Sequence, residues 1–117
     1  MQNFQNLNVW KKAHVLVLEI YKQTKNYPRE ETYGLTSQMR RAATSITANI
    51  AEGSCRKTDN DFAHFLQMAL GSASELEYYF ILSNDLGYIS NPISRNLTHS
   101  VLEIKKMLIS FIGKVRS

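Results

Sequence analysis

Cysteine, proline and glycine are scarce in this chain of 117 residues, which has one Cys, two Pro and five Gly. A lone thiol, Cys55, cannot close an intramolecular disulfide, so packing must hold the fold, and the count suits a reducing cytoplasm. Long hydrophobic runs are missing too. The longest wholly apolar stretches, Val15 to Leu18 and Tyr78 to Leu82, fall far short of the roughly 20 residues that span a bilayer. The N-terminal residues M-Q-N-F-Q-N-L lack a basic start followed by an apolar run, which argues against a secretory signal. A soluble, cytoplasmic protein without a membrane partner is expected. Neither sign of charge dominates: 14 Lys and Arg stand against 10 Asp and Glu, and the net +4 is a mild bias towards anionic partners. The 44% hydrophobic content is enough for one core and argues against disorder.

What is present is helical period in four segments, with no sustained alternation of period two. In the first, about Asn8 to Lys25, Val9, Ala13, Leu16 and Ile20 run beside Trp10, Val17 and Tyr21. It stops before Tyr27-Pro28, where the proline disfavours helix at the preceding residue. The second, about Thr36 to Cys55, lines up Met39, Ala42, Ile46, Asn49 and Gly53, small side chains that permit a close helix contact. The third opens on Thr58-x-x-Asp61, which resembles a capping box. It carries Phe62, Leu66, Ala69, Ala73, Leu76 and Phe80 to a stop at Gly87. Asn91-Pro92 reads as the cap and first position of the fourth, with Ile93, Leu97, Val101, Ile104, Leu108, Phe111 and Val115 buried. The expected fold is all-α, an antiparallel up-down-up-down four-helix bundle forming a single domain over residues 1–117.

Several features exceed what one bundle needs. The first helix would be roughly 27 Å long and the third roughly 42 Å, so one overhangs the other. Within the longer, Tyr78 to Leu82 point in every direction around the axis, because consecutive residues turn by about 100°. Leu102, Ile109 and Ile112 lie off the main stripe of the fourth helix. This hydrocarbon marks self-association, or a surface covered by the Tyr27 to Tyr33 connection, or, for Tyr78 and Tyr79, rings lying flat on the surface. Mid-helix Gly71 suggests a close crossing against the small face of the second helix. Asn49, in an apolar register, would fix register or assembly or contact a ligand. Glu52, Glu75 and Glu77 are placed to pair with Arg40, Arg41 or Arg56, within or between subunits, or else to remain exposed charges of little weight.

Sorting charges by bundle end puts Lys11, Lys12, Arg56, Lys57, Lys114 and Arg116 with the termini, against Asp59 and Asp61, a local balance of +4. The opposite end balances at +2 and the middle at −2. The termini end is therefore the candidate anion-binding surface, unless these cations serve only solubility and the helix dipoles. No enzyme, metal or cofactor is expected. A di-iron bundle would carry two Glu-x-x-His motifs, whereas here Asp61-x-x-His64 and the His99/Glu103 pair stand alone. Cys55 and His64 fall on either side of a turn without a third orienting residue, and Gly53-Ser54 lacks the rest of a phosphate loop.

The run Tyr33-Gly34-Leu35-Thr36-Ser37-Gln38-Met39-Arg40-Arg41-Ala42-Ala43 is followed by Ser45-Ile46, Asn49-Ile50-Ala51-Glu52-Gly53 and Arg56. Then come Phe62, Phe65-Leu66, Ala69, Gly71-Ser72, Glu75-Leu76-Glu77 and Leu86-Gly87-Tyr88, with Leu7, Val9-Trp10 and Ala13 upstream. Together they resemble the 23S rRNA-intervening sequence proteins, small bacterial four-helix bundles. These are similar in turn to the accessory protein of diversity-generating retroelements. The resemblance implies a homopentameric ring that binds RNA or DNA, often beside a nucleic-acid-processing protein. The expected function is thus a non-enzymatic accessory touching phosphates. A protein adaptor or structural assembly without nucleic-acid contact is the alternative. Tyr78, Tyr79, Arg40, Arg41, Asn49, Glu52, Glu75 and Glu77 are the expected assembly residues.

Overall fold

Helix starts follow from side chains able to accept hydrogen bonds from an open first turn. The computed structural model describes residues 3–117. Met1 and Gln2, part of the stretch read for a signal, lie outside the described residues. A 3-10 turn at Phe4–Asn6 leads into α1 (Asn8–Thr24), α2 (Leu35–Ser54), α3 (Asp59–Asp85) and α4 (Asn91–Arg116), and no strand occurs among the described residues. Thr58 Oγ1 accepts from the Asp61 amide at 3.1 Å, the cap anticipated for α3. The cap of α4 differs by one residue. Ser90, not Asn91, accepts through Oγ from the Ile93 amide at 3.4 Å, and Asn91 and Pro92 already lie inside the helix, where a missing proline N–H leaves nothing unpaired. Gly87 turns the chain after α3 with φ of 79°, a left-handed conformation that a side chain would strain.

Short connections make neighbouring helices antiparallel, and α4 closes against α1, giving the up-down-up-down bundle. Its long dimension is 43 Å, about the length of α3 alone. One core runs through all four helices, with Ile20, Met39, Ile46, Leu66, Leu76, Phe80, Ile104 and Leu108 fully buried. None of the helices among the described residues is long and apolar enough to cross a membrane.

The close contact of α2 sits at Gly53 rather than at Gly71. A Cβ on Gly53 would stand 2.7 Å from Phe65 Cβ and 3.0 Å from Phe62 Cδ1, whereas one on Gly71 would meet nothing within 4 Å. The expected crossing at Gly71 is therefore absent within the chain; that residue faces outward. Ile112, expected outside the main stripe of α4, is buried. At the far end Tyr27 and Tyr88 pack with ring centroids 5.2 Å apart, and Tyr88 donates to Glu31 Oε2 at 2.9 Å. These contacts pin the α1–α2 connection to the α3–α4 turn. Burial pushes the Tyr27 phenol above its ordinary range, with the nearby Ser83 hydroxyl opposing. Tyr27 makes no well-formed hydrogen bond through its hydroxyl, because Ser83 Oγ turns to Met39 Sδ at 3.4 Å.

Candidate functional site

The antiparallel course of the helices brings the start of α1, the α2–α3 turn and the end of α4 to one end of the bundle. Lys11, Lys57, Lys114 and Arg116 are exposed there and make no ion pair among the described residues. The other two expected cations are engaged. Lys12 Nζ lies 3.4 Å from Glu103 Oε2 across the α1–α4 contact. Arg56 reaches back 2.9 Å to Glu52 Oε1, and its guanidinium sits over the Phe65 ring, 4.6 Å from the centroid.

Sequence reasoning missed Lys106, which lines a groove of about 510 Å³ together with Lys114, Leu7 and Phe111. Its spacing of eight from Lys114 was the available signal, two turns along one face. With Lys106 added and Glu52 and Glu103 counted as neighbours, seven cations face four acids, a balance of +3 rather than +4. These pairs are solvent-exposed, so each neutralises charge without contributing much stability.

The expected assembly residues do not form one network. Glu75 accepts from the Tyr79 hydroxyl at 2.6 Å, and that hydrogen bond holds the Tyr79 phenol above its ordinary range. Glu77 accepts from Lys105 Nζ at 2.9 Å across α3 and α4. Within the chain, then, neither acid meets Arg40 or Arg41, since each has a nearer donor. Arg40 instead donates to Thr24 Oγ1 at 2.9 Å and covers the Tyr21 ring at 4.6 Å. Arg41 donates to Gln38 Oε1 at 2.7 Å.

Asn49 is half-buried, and its amide is satisfied inside α2 by Ser45 O at 2.8 Å and Ser45 Oγ at 3.0 Å. The link between helices passes through serine: Ser72 Oγ donates to Ser45 Oγ at 2.9 Å. Tyr78 is 55% exposed and Ile81 52%. The Tyr27 to Tyr33 connection does not cover them; its Tyr27 is buried against Tyr88 and its Tyr33 is 96% exposed. Leu102 and Ile109 on α4 and Val15 and Leu18 on α1 are likewise exposed. Among the described residues no group of three or more His, Cys, Asp or Glu is placed to hold a metal ion.

Fold and surface together define an all-α antiparallel bundle with apolar side chains outside its core and a positive balance at the end that holds the termini. The model of the 23S rRNA-intervening sequence protein family matches residues 5–110, and the chain belongs to that family. Among solved structures it is similar to a protein of unknown function from the S23 ribosomal protein family of Bacteroides thetaiotaomicron VPI-5482. The two are 29% identical, the match covers 90% of this chain and 95% of that one, and the TM-score is 0.82. Among curated proteins nothing matches.

Proposed function

We propose that the protein is a non-enzymatic accessory that associates with copies of itself, five by resemblance, and binds RNA or DNA through phosphate contacts at the termini end. The observation that carries the reading is the group of free cations there, Lys11, Lys57, Lys106, Lys114 and Arg116, on a bundle whose apolar residues are not all enclosed. One chain offers few contacts, each weak in water. Repetition about a common axis lets them act on one strand at high effective concentration. The family description, with its reference to 23S rRNA, supports a nucleic-acid setting. Without a base-reading motif, recognition is led by charge and shape.

Affinity for structured RNA or duplex DNA, measured by fluorescence anisotropy, is expected to fall steeply as salt rises. Replacing Lys57 and Lys114 by alanine should reduce the slope of log affinity against log salt by about 2 for each chain in contact. Salt-independent binding, or none at low salt, contradicts the reading. Binding only in the presence of a co-purified protein transfers the function to the adaptor class.

A further inference from the structure

The end of the bundle away from the termini holds a cavity of about 420 Å³ between the last turns of α1 and the first turns of α2. Two arginines on its wall, Arg40 and Arg41, have no carboxylate partner among the described residues; both are held by neutral groups. No acid lines it. Glu31 stands behind the cap of α2, its two oxygens taken by the Leu35 amide at 3.0 Å and the Tyr88 hydroxyl at 2.9 Å.

The first turn of α2 adds donors. Gly34 supplies no side-chain cap, Glu31 reaches only the Leu35 amide, and among the described residues the amides of Thr36 and Ser37 donate to no acceptor, as helix first turns leave them. Thr36 adds a hydroxyl to these donors. It lines the cavity, it is only 7% exposed, and its hydroxyl makes no hydrogen bond among the described residues. The hydroxyl oxygen itself is open to the cavity rather than enclosed, so it can donate to a bound group. A cluster of guanidinium groups, open amides and a hydroxyl, with the neighbouring Glu31 carboxylate already engaged by the Leu35 amide and Tyr88, suits a tetrahedral oxyanion, because a phosphate accepts from several donors at once. Beside these donors stands Tyr33, whose ring is 96% exposed, an unusual placement for a large aromatic side chain and a ready face for stacking.

We propose that this cavity binds a nucleoside phosphate, with the phosphate held by Arg40, Arg41 and the first turn of α2 and the base laid against Tyr33. The site lies at the opposite end of the bundle from the cationic patch and does not depend on it. Arg40 also ties α2 to Thr24 and Tyr21, so fold-neutral variants carry the test: Arg41→Gln, Thr36→Val and Tyr33→Ala.

Calorimetry on the full chain would use a nucleoside 5′-monophosphate, the same nucleoside without phosphate, inorganic phosphate and a short 5′-phosphorylated single strand. The monophosphate is expected to bind one per chain, inorganic phosphate about tenfold more weakly and the bare nucleoside not detectably. Arg41→Gln should weaken binding about tenfold, since hydrogen bonds to charged groups are the strong ones. Tyr33→Ala should weaken the monophosphate but not inorganic phosphate. A single strand that binds more tightly than the monophosphate, with the same dependence on Arg41, identifies the strand's phosphorylated end as the source; equal affinity identifies the free nucleotide. No binding of either phosphate probe at millimolar concentration overturns the proposal, as does unchanged affinity in Arg41→Gln and Thr36→Val with melting curves unaltered. Alanine at Lys57 and Lys114 is expected to leave the nucleotide affinity unchanged, which separates failure of this site from failure of the cationic patch.

Discussion

Phe80→Ala is expected to lower the unfolding free energy by about 4 kcal/mol, the cost of removing a large buried ring from a core that refills only in part. Phe80, near the end of α3, is 0% exposed in the core. Its neighbours Tyr78 and Ile81 sit on the same helix at angles that place more than half of each side chain in solvent. The double change Tyr78→Glu with Ile81→Glu should therefore shift the unfolding of the single chain by no more than about 0.5 kcal/mol, while reducing the mass of any assembly that buries this face. Urea titrations at a dilution where both variants are single chains check the first part, because association would otherwise add to apparent stability. Equal stability losses for the two variants would show that the outer face of α3 belongs to the chain's own core.

Gly53→Leu is expected to cost about 3 kcal/mol and Gly71→Ala to gain about 1 kcal/mol. At Gly53 the first added carbon already lies 2.7 Å from Phe65 Cβ. That atom is fixed to the backbone of α3 and cannot swing aside, so α2 and α3 must separate. At Gly71 the added carbon meets nothing within 4 Å, and only the poor helix propensity of glycine is removed. The midpoints of urea unfolding at constant slope read both effects. A tolerated leucine at residue 53 would contradict the close packing of these two helices.

The two glycines stood differently in the sequence: Gly53 continues the seam of Met39, Ala42, Ile46 and Asn49, whereas Gly71 falls between Ala69 and Ala73, about 200° round the axis from either, and only Gly53 lies under a neighbouring helix. Periodicity identifies the inward face of a helix, but the axial level at which another helix crosses depends on the register between them. The bundle itself was legible for the converse reason: the stripes ending in Ile20, Gly53, Phe80 and Val115 each need a buried face, and short connections leave antiparallel packing as the direct solution. Fold boundaries followed from Thr58, Gly87 and Pro92. The cap of α4 moved to Ser90 because serine and asparagine are nearly equal as caps.

Charge was harder to read. The antiparallel order of the helices brings the termini-end cations to one end of the bundle, yet the engagement of Lys12 by Glu103 depends on how α1 and α4 are rotated about their axes, and the contact of Lys105 with Glu77 depends likewise on α3 and α4. The Arg56–Glu52 pair follows the ordinary spacing of four residues and was already among the possible pairings. The assembly role expected of Arg40 and Arg41 rests on acids within their reach, in the same chain or in another copy. Within the chain the structure commits Glu75 to Tyr79 and Glu77 to Lys105, and leaves both arginines on the wall of a cavity formed by Tyr21 of α1 and the stretch from Thr32 to Thr44.

The reading of this protein as an assembly with gathered cations depends on hydrocarbon left outside the core. Sedimentation equilibrium of the full chain over a wide dilution series, at low and at moderate salt, tests it most directly. A particle several chains in mass, which loses mass in the Tyr78→Glu, Ile81→Glu variant while each chain stays helical, is the expected result. A folded single chain at every concentration, with and without those substitutions, would contradict it.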